Sequence, residues 1–122
     1  MATSAESSST RCYAAGEIIF KQGDKADGVF ILREGEIELL LNNVLVGLES
    51  SGGIIGEMAM IDETTRSATA RARTDCVLEQ LDKDQFIGMI EESPSFVFHL
   101  MRVMTERVRR TNELLEKARQ RQ

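Results

Sequence analysis

The sequence predicts a mainly β protein with flanking helices: a β-roll (a jelly roll, or double-stranded β-helix) with one short internal helix and a long C-terminal helix. Two observations lead to this prediction. Between residues 17 and 81, short apolar runs are separated by turns rich in glycine and asparagine, as in all-β sandwiches and rolls. After residue 82 the spacing of apolar residues changes to the period of a helix.

Three segments are expected along the chain. Residues 1–12 begin with a serine-rich stretch and are expected to form a disordered tail. Residues 13–93 are expected to form the β-roll with its short helix. Asn42-Asn43 marks a hairpin turn within it, because asparagine tolerates positive φ. Residues 94–122 are expected to form the C-terminal helix, acting as a lid or a dimerisation element.

This C-terminal helix is expected to begin with Ser93 as its N-cap and Pro94 at its first helical position. Its apolar residues follow a heptad of alternating four- and three-residue spacings. The heptad positions are Val97, Met101, Met104, Val108, Thr111, Leu115 and Ala118. The pattern favours a parallel homodimer through this helix. The alternative is that the same stripe folds back over the roll of its own chain.

Composition and charge exclude several classes of protein. The 122 residues leave room for one domain. Cys12 and Cys76 are too few and too far apart for a disulfide scaffold, which predicts reduced thiols and a cytoplasmic location. Neither a secretory signal nor an apolar run of the ~20 residues needed to cross a membrane is present. Residues 99–122 carry a net charge of +4 against −9 before them. These charges alternate at helical spacing, which favours a solvated helix face over a nucleic-acid site, and we expect no DNA-binding module in this chain.

An acid, an arginine and a small-residue turn occur close together between residues 55 and 70. Glycine before the acid lets a ligand approach the backbone, and arginine offers paired donors to phosphate oxygens. N–H groups at the start of a short helix over residues 57–60 also favour an anion. A carboxylate beside that anion requires neutral hydroxyls as partners, so the stretch indicates a receptor for a sugar monophosphate. The candidate contacts here are Gly56, Glu57, Met58, Ala59, Arg66, Ser67 and Ala68.

Catalysis is not expected from this sequence. His99 is the single histidine, which leaves no histidine-rich metal triad, and we expect no metal. Neither a G-x-S-x-G motif nor a P-loop occurs. Glu57 and Arg66 lack a second proton-transfer group.

The stretch Gly56-Glu57-x-Ala59, followed after a short gap by Arg66-Ser67-Ala68, resembles the phosphate-binding cassette of the cyclic-nucleotide-binding domain family. The catabolite activator and the regulatory subunits of cAMP-dependent kinase are members of that family. The resemblance extends over residues 13–115. It implies that Glu57 accepts a hydrogen bond from the ribose 2′-hydroxyl, that Arg66 pairs with the phosphate, and that Ser67 donates to the same phosphate.

The resemblance also indicates the base. Ser67 after the arginine is similar to the cAMP-responsive activator, whereas cGMP-selective members often have threonine there; cAMP is therefore expected over cGMP, which stays possible. Thr111 and Asn112 lie at the place of an adenine-contacting pair on the long helix, Asn112 across a dimer. The alternative is that Thr111 is a polar residue that sets the register of the helix pair.

Two functions follow. The first is a cyclic-nucleotide sensor that relays ligand binding through the C-terminal helix to a downstream protein not identified by the sequence. The second is a structural or dimerisation module with a vestigial pocket.

Overall fold

The computed structural model of the protein describes residues 9–62 and 64–120, and this part of the chain folds into eight strands and three helices. The strands are β1 (Ser9–Tyr13), β2 (Ile18–Phe20), β3 (Val29–Glu34), β4 (Ile37–Leu41), β5 (Val44–Glu49), β6 (Ile54–Ile55), β7 (Thr69–Ala72) and β8 (Cys76–Leu81). The helices are α1 (Glu57–Asp62), α2 (Lys83–Glu92) and α3 (Pro94–Gln120).

The strands form two antiparallel four-stranded sheets, which confirms the predicted β-roll. Their orders are β1-β8-β3-β6 and β2-β7-β4-β5, so each sheet pairs an early strand of the chain with a late one. The hairpin between β4 and β5 turns at Asn42 and Asn43, whose φ angles of +50° and +66° agree with the predicted turn. α1 interrupts the strands between β6 of the first sheet and β7 of the second, so the cassette connects the two sheets.

The prediction of a disordered tail over residues 1–12 is wrong for residues 9–12. Residues 9–12, assigned to a disordered tail, belong to β1, which pairs antiparallel with β8 from Ser9↔Gln80 to Tyr13↔Cys76. The side chains of the strand are exposed except that of Tyr13, which is half-buried. Backbone hydrogen bonds at a sheet edge hold such a strand, so its composition carries no apolar signal. Residues 1–8 lie outside the described part of the chain.

Two apolar clusters make the core. One lies inside the roll and joins residues of both sheets, with Leu32, Ile37, Ile55 and Leu78 fully buried at its centre. The other lies where α2 and α3 cover the outer face of the first sheet, through residues such as Phe86, Phe96 and Leu100. The core therefore fixes the N-terminal half of α3 against the roll.

The caps of the two long helices explain where they begin. At α2, Asp82 and Gln85 form a reciprocal capping box. At α3, the Ser93 hydroxyl accepts the Phe96 N–H at 3.2 Å, as predicted for an N-cap followed by Pro94. Within the described residues, no helix combines the length and the apolar character that crossing a membrane requires.

The two faces of α3 differ. Phe96, Leu100 and Val103 are buried against the roll. The opposite face leaves Phe98, Met101, Val108 and Leu115 between 55% and 69% exposed. The predicted heptad is divided between these faces, because Met104 packs against the core cluster of its own chain.

Candidate functional site

A cavity of about 350 Å³ lies between the cassette, the second sheet and α3. Its volume is within the range of small-molecule sites. The strands and the cassette contribute Phe20, Leu39, Leu41, Val46, Gly47, Ile55, Gly56, Glu57, Met58, Ala59, Arg66, Ser67 and Ala68, and α3 contributes Arg107, Arg110 and Thr111.

The cavity brings together eight of the nine residues proposed from the sequence. Seven are the cassette residues, and the eighth is Thr111. Asn112 does not line it and is exposed on α3. Successive residues of an α-helix point about 100° apart, so Asn112 lies about 200° around the helix from Arg110, which lines the cavity, and faces away from it.

Arg66 is anchored inside the protein. Its side chain is 1% exposed, and its Nη atoms donate to the Gly56 carbonyl at 3.0 Å and the Gly28 carbonyl at 2.6 Å. Asp27 pairs with it at 3.2 Å, and the guanidinium lies 4.2 Å from the centre of the Phe20 ring. Burial lowers the pKa of Arg66 from its usual value, against the attraction of Asp27. The buried Nε atom has no hydrogen-bond partner in the described structure.

Gly56 is required where it stands. Its φ of +84° is a conformation that side chains with a Cβ rarely adopt. A Cβ built there would also collide with the Arg66 guanidinium. The residue therefore allows the arginine to pass directly beneath the start of α1.

Glu57 is 1% exposed and is held by α3. Its Oε1 accepts a hydrogen bond from Arg107 Nη1, and Nη2 of the same arginine donates to the Ile54 carbonyl. Its Oε2 is buried and has no partner in the described structure. Arg107 of α3 therefore contacts both the cassette, at Glu57, and the strand before it, at Ile54.

Arg107, Arg110 and Glu49 were not identified from the sequence. The alternating charges of α3 predicted a solvated helix face, whereas Arg110 bonds to the Leu48 carbonyl and lies 3.5 Å from Glu49 Oε2. Glu49 ends β5, and burial raises the pKa of its carboxyl above the usual value, against the attraction of Arg107 and Arg110. One signal was present: an arginine-rich helix beside a strongly acidic roll.

These groups make a site with two chemical halves. The unpartnered Glu57 Oε2 can accept a hydrogen bond from a hydroxyl, and the unpartnered Arg66 Nε can donate one to an anion. Leu39, Leu41 and Val46 supply an apolar wall. The arrangement suits a ligand with a hydroxyl, an anionic group and a flat apolar part.

Thr111 presents an acceptor to this cavity. Its hydroxyl donates to the Arg107 carbonyl one turn earlier, at 3.0 Å. Because the single hydroxyl proton is used within the helix, the oxygen offers only its lone pairs to a ligand.

A model of the family described as cyclic nucleotide-binding domain matches residues 10–93. The chain belongs to this family. Solved structures agree. The Thermus thermophilus catabolite activator protein has a TM-score of 0.76 at 26% identity, and the match covers 94% of this chain and 56% of the activator. A structure of PKAR CBD2 with bound Sp-2Cl-cAMPS has a TM-score of 0.74 at 28% identity, over 91% of this chain and 74% of its own. The cGMP-bound form of the EAL enzyme Bd1971 has a TM-score of 0.65 at 31% identity, over 91% of this chain.

The chain spans 56% of the activator and 31% of the EAL enzyme. What it shares with them is therefore the regulatory domain that binds cyclic nucleotides.

Proposed function

We propose that this domain is a cAMP sensor that reports binding through α3 and has no catalytic activity of its own. The observation that supports this most directly is the pair of unpartnered buried atoms in one cavity, Glu57 Oε2 and Arg66 Nε. A cyclic nucleotide carries the matching groups on one ribose: a 2′-hydroxyl and, bridging the 3′ and 5′ oxygens, an anionic phosphate.

In the proposed complex, Glu57 accepts the 2′-hydroxyl and Arg66 donates to the phosphate. Ser67 and Ala68 follow the arginine along the cavity wall, where Ser67 donates its hydroxyl or N–H to the phosphate and Ala68 keeps the turn small. The base lies against the apolar wall of Leu39 and Val46. Charged partners make such hydrogen bonds worth about 1.5–3 kcal/mol each.

The preference for adenine rests on Thr111. Its oxygen is an acceptor, and the amino group of adenine is a donor. Guanine carries a carbonyl at the same ring position, so two acceptors would face one another. The neighbours include both a cAMP analogue complex and a cGMP complex, so the family permits either base.

The relay is proposed to begin at Arg107. In the proposed complex Arg107 stays on Glu57 Oε1 while the ribose 2′-hydroxyl donates to Oε2, so one carboxylate joins the ligand to α3. A ligand shifts an equilibrium between two poses only by its difference in affinity for them. A pose of α3 in which Arg107 orients Glu57 is proposed to bind the ribose more tightly than a pose without this contact, which supplies that difference.

The output is proposed to be a homodimer contact or a downstream protein. The exposed face of α3 repeats at heptad spacing through Met101, Val108 and Leu115. Asn112 lies on the exposed side of the same helix, where a partner copy would meet it.

A thermal-shift series with cAMP, cGMP and 5′-AMP on wild type and Arg66→Leu tests the proposal. At 100 times the wild-type dissociation constant, cAMP is expected to add about 2.7 kcal/mol to the free energy of unfolding of wild type, and only about 0.4–1.4 kcal/mol to that of the variant at the same concentration. A folded, ligand-free wild type that responds to no nucleotide would instead support the module with a vestigial pocket.

A further inference from the structure

Asp27 lies at the phosphate end of the proposed site. Its Oδ1 is 3.2 Å from Arg66 Nη2, and its side chain is 77% exposed. The unpartnered Arg66 Nε belongs to the same planar guanidinium as this Nη2. An anion bound at Nε is therefore separated from the Asp27 carboxylate by little more than the width of that group.

The backbone helps to hold Asp27 in this place. The Arg66 N–H donates to the Asp24 carbonyl at 2.8 Å, and an isolated β-bridge pairs Lys25 with Thr65. These contacts tie the loop before β3 to the second half of the cassette. The position of Asp27 therefore does not depend on its ion pair alone.

Most of the positive charge of Arg66 is already matched by the protein. Asp27, Glu57 and Asp24 all attract it, and Nη1 and Nη2 donate to backbone carbonyls. The other arginine at the cassette, Arg107, is bonded to Glu57. One anionic oxygen can still bind at Arg66 Nε, whereas a second negative charge on the ligand would face the Asp27 carboxylate.

Cyclic and open nucleotides differ in charge at this phosphate. A 3′,5′-cyclic phosphate is a diester with one negative charge. Hydrolysis breaks its P–O3′ bond: the water oxygen joins phosphorus with one hydrogen, and the other hydrogen goes to O3′. The 5′-monophosphate so formed has a second acidic oxygen that ionises near pH 6, so at neutral pH most of it carries two charges.

We propose that Asp27 is a specificity-determining residue that disfavours doubly charged nucleotides. It allows the sensor to distinguish cAMP from its hydrolysis product 5′-AMP by charge, in addition to the shape of the ring. The inference rests on the proposed binding of a cyclic nucleotide, with its phosphate at Arg66.

A merely structural role for Asp27 predicts a different pattern. If Asp27 only supports Arg66, its replacement changes the affinity for every nucleotide by the same factor. Charge selection makes the effect depend on the charge of the ligand and not on whether its phosphate is cyclic. The methyl ester of 5′-AMP separates these properties, because it is an open nucleotide with one negative charge.

The test measures the affinities of wild type and Asp27→Asn for cAMP, 5′-AMP and the methyl ester of 5′-AMP at pH 8, by competition with a fluorescent cAMP analogue. Asparagine keeps the shape and an acceptor oxygen for Arg66 and removes the charge. Asp27→Asn is expected to improve 5′-AMP binding by about 3–5-fold relative to both singly charged ligands, the size of an interaction between exposed charges. Wild type is expected to bind the methyl ester more tightly than 5′-AMP.

Glu79→Gln is the matched control. It also removes one negative charge from an ion pair with an arginine, Arg33, but Glu79 lies on β8 in the first sheet and does not line the cavity. This variant is expected to leave the ratios between the three ligands unchanged. Asp27→Ser, which also lacks the charge, serves if the asparagine variant folds poorly.

The outcomes separate this inference from the proposed function. A wild type that binds none of the three nucleotides refutes the proposed function. A wild type that binds cAMP refutes the role of Asp27 alone if the effect of Asp27→Asn is absent, equal for all three ligands, or matched by Glu79→Gln. Binding of 5′-AMP that stays too weak to measure in both wild type and Asp27→Asn counts as an absent effect.

Discussion

Arg66 uses most of its hydrogen-bonding capacity on the protein itself. Two of its nitrogens satisfy the carbonyls of Gly56 and Gly28, and one nitrogen stays available. The residue is therefore part of the fold as well as of the candidate site. Any substitution has to be interpreted in both roles.

Arg66→Leu is expected to weaken cAMP binding by about 10–100-fold, because a charged hydrogen bond to phosphate is lost. It is also expected to lower the free energy of unfolding by about 1–3 kcal/mol, because buried carbonyls lose their donor. Calorimetry and urea denaturation measure the two effects. Arg66→Lys keeps the charge but not the planar guanidinium, so its cAMP affinity should lie between those of wild type and Arg66→Leu. Unchanged cAMP affinity in Arg66→Leu would contradict the assignment of Arg66 to the phosphate.

Gly56→Ala is expected to abolish most ligand binding, because its Cβ displaces the arginine. Gly16→Ala is the matched control: its φ of +91° is similar, but no atom lies within 4 Å of the added Cβ. Both substitutions are expected to lower stability by about 1 kcal/mol, the cost of left-handed backbone with a Cβ. Equal binding by both variants would show that Gly56 is needed only for its conformation.

Thr111→Val is expected to reduce the preference for cAMP over cGMP about 5–10-fold, because one neutral hydrogen bond is lost. Thr105→Val is the control, since Thr105 also donates its hydroxyl within the helix, to the Met101 carbonyl at 2.8 Å, and does not line the cavity. Competition binding with the two nucleotides measures the ratio. A ratio that shifts equally in both variants would assign the effect to the helix and not to the base.

At the level of elements, α3 has two tasks. Its first half packs on the outer face of the first sheet and completes the apolar core there. Its second half carries the arginines that contact Glu57 and Glu49. Its exposed face is free for another helix. Dimerisation and ligand contact are therefore proposed for different faces of α3.

Leu115→Glu is expected to dissociate a helix-mediated dimer, because a charge would enter the seam between the two helices. Leu114→Glu is the control: this neighbour lies beside Leu45 and Val46 of its own chain. Sedimentation at tens of micromolar protein measures the mass of each. A wild type that sediments as a monomer would remove the dimer from the proposal.

For the whole molecule, the buried acid predicts how stability depends on pH. The pKa of Glu49 is raised by burial, and the charged groups that face it are Arg107, Arg110 and Glu57. A raised pKa means that the folded state holds the proton more tightly than the unfolded state. The contribution of Glu49 is thus fully present below its usual pKa of 4.5 and is lost as the pH rises through the folded value.

Glu49→Gln is accordingly expected to be at least as stable as wild type at neutral pH, with the difference vanishing towards acid pH. Thermal melts of both proteins across this range measure it. A variant less stable than wild type at neutral pH would show that the arginines outweigh the burial of the charge.

The local part of the site was predictable, and the part made by distant residues was not. The cassette, the Asn42-Asn43 turn and the start of α3 at Pro94 depend on neighbours in sequence. The contact of Arg107 with Glu57 joins residues 50 positions apart, and no local pattern encodes it. β1 was missed because an exposed edge strand needs no apolar alternation.

The role of Arg66 in both folding and ligand binding affects how such domains diverge in evolution. A descendant that no longer responds to any nucleotide would still be selected to keep this arginine, because folding depends on it. Glu57 contributes less to the fold, since Arg107 uses only one of its oxygens and the other is buried without a partner in the described structure. Among relatives, loss of the glutamate, and not of the arginine, should therefore mark the lineages in which sensing has been abandoned.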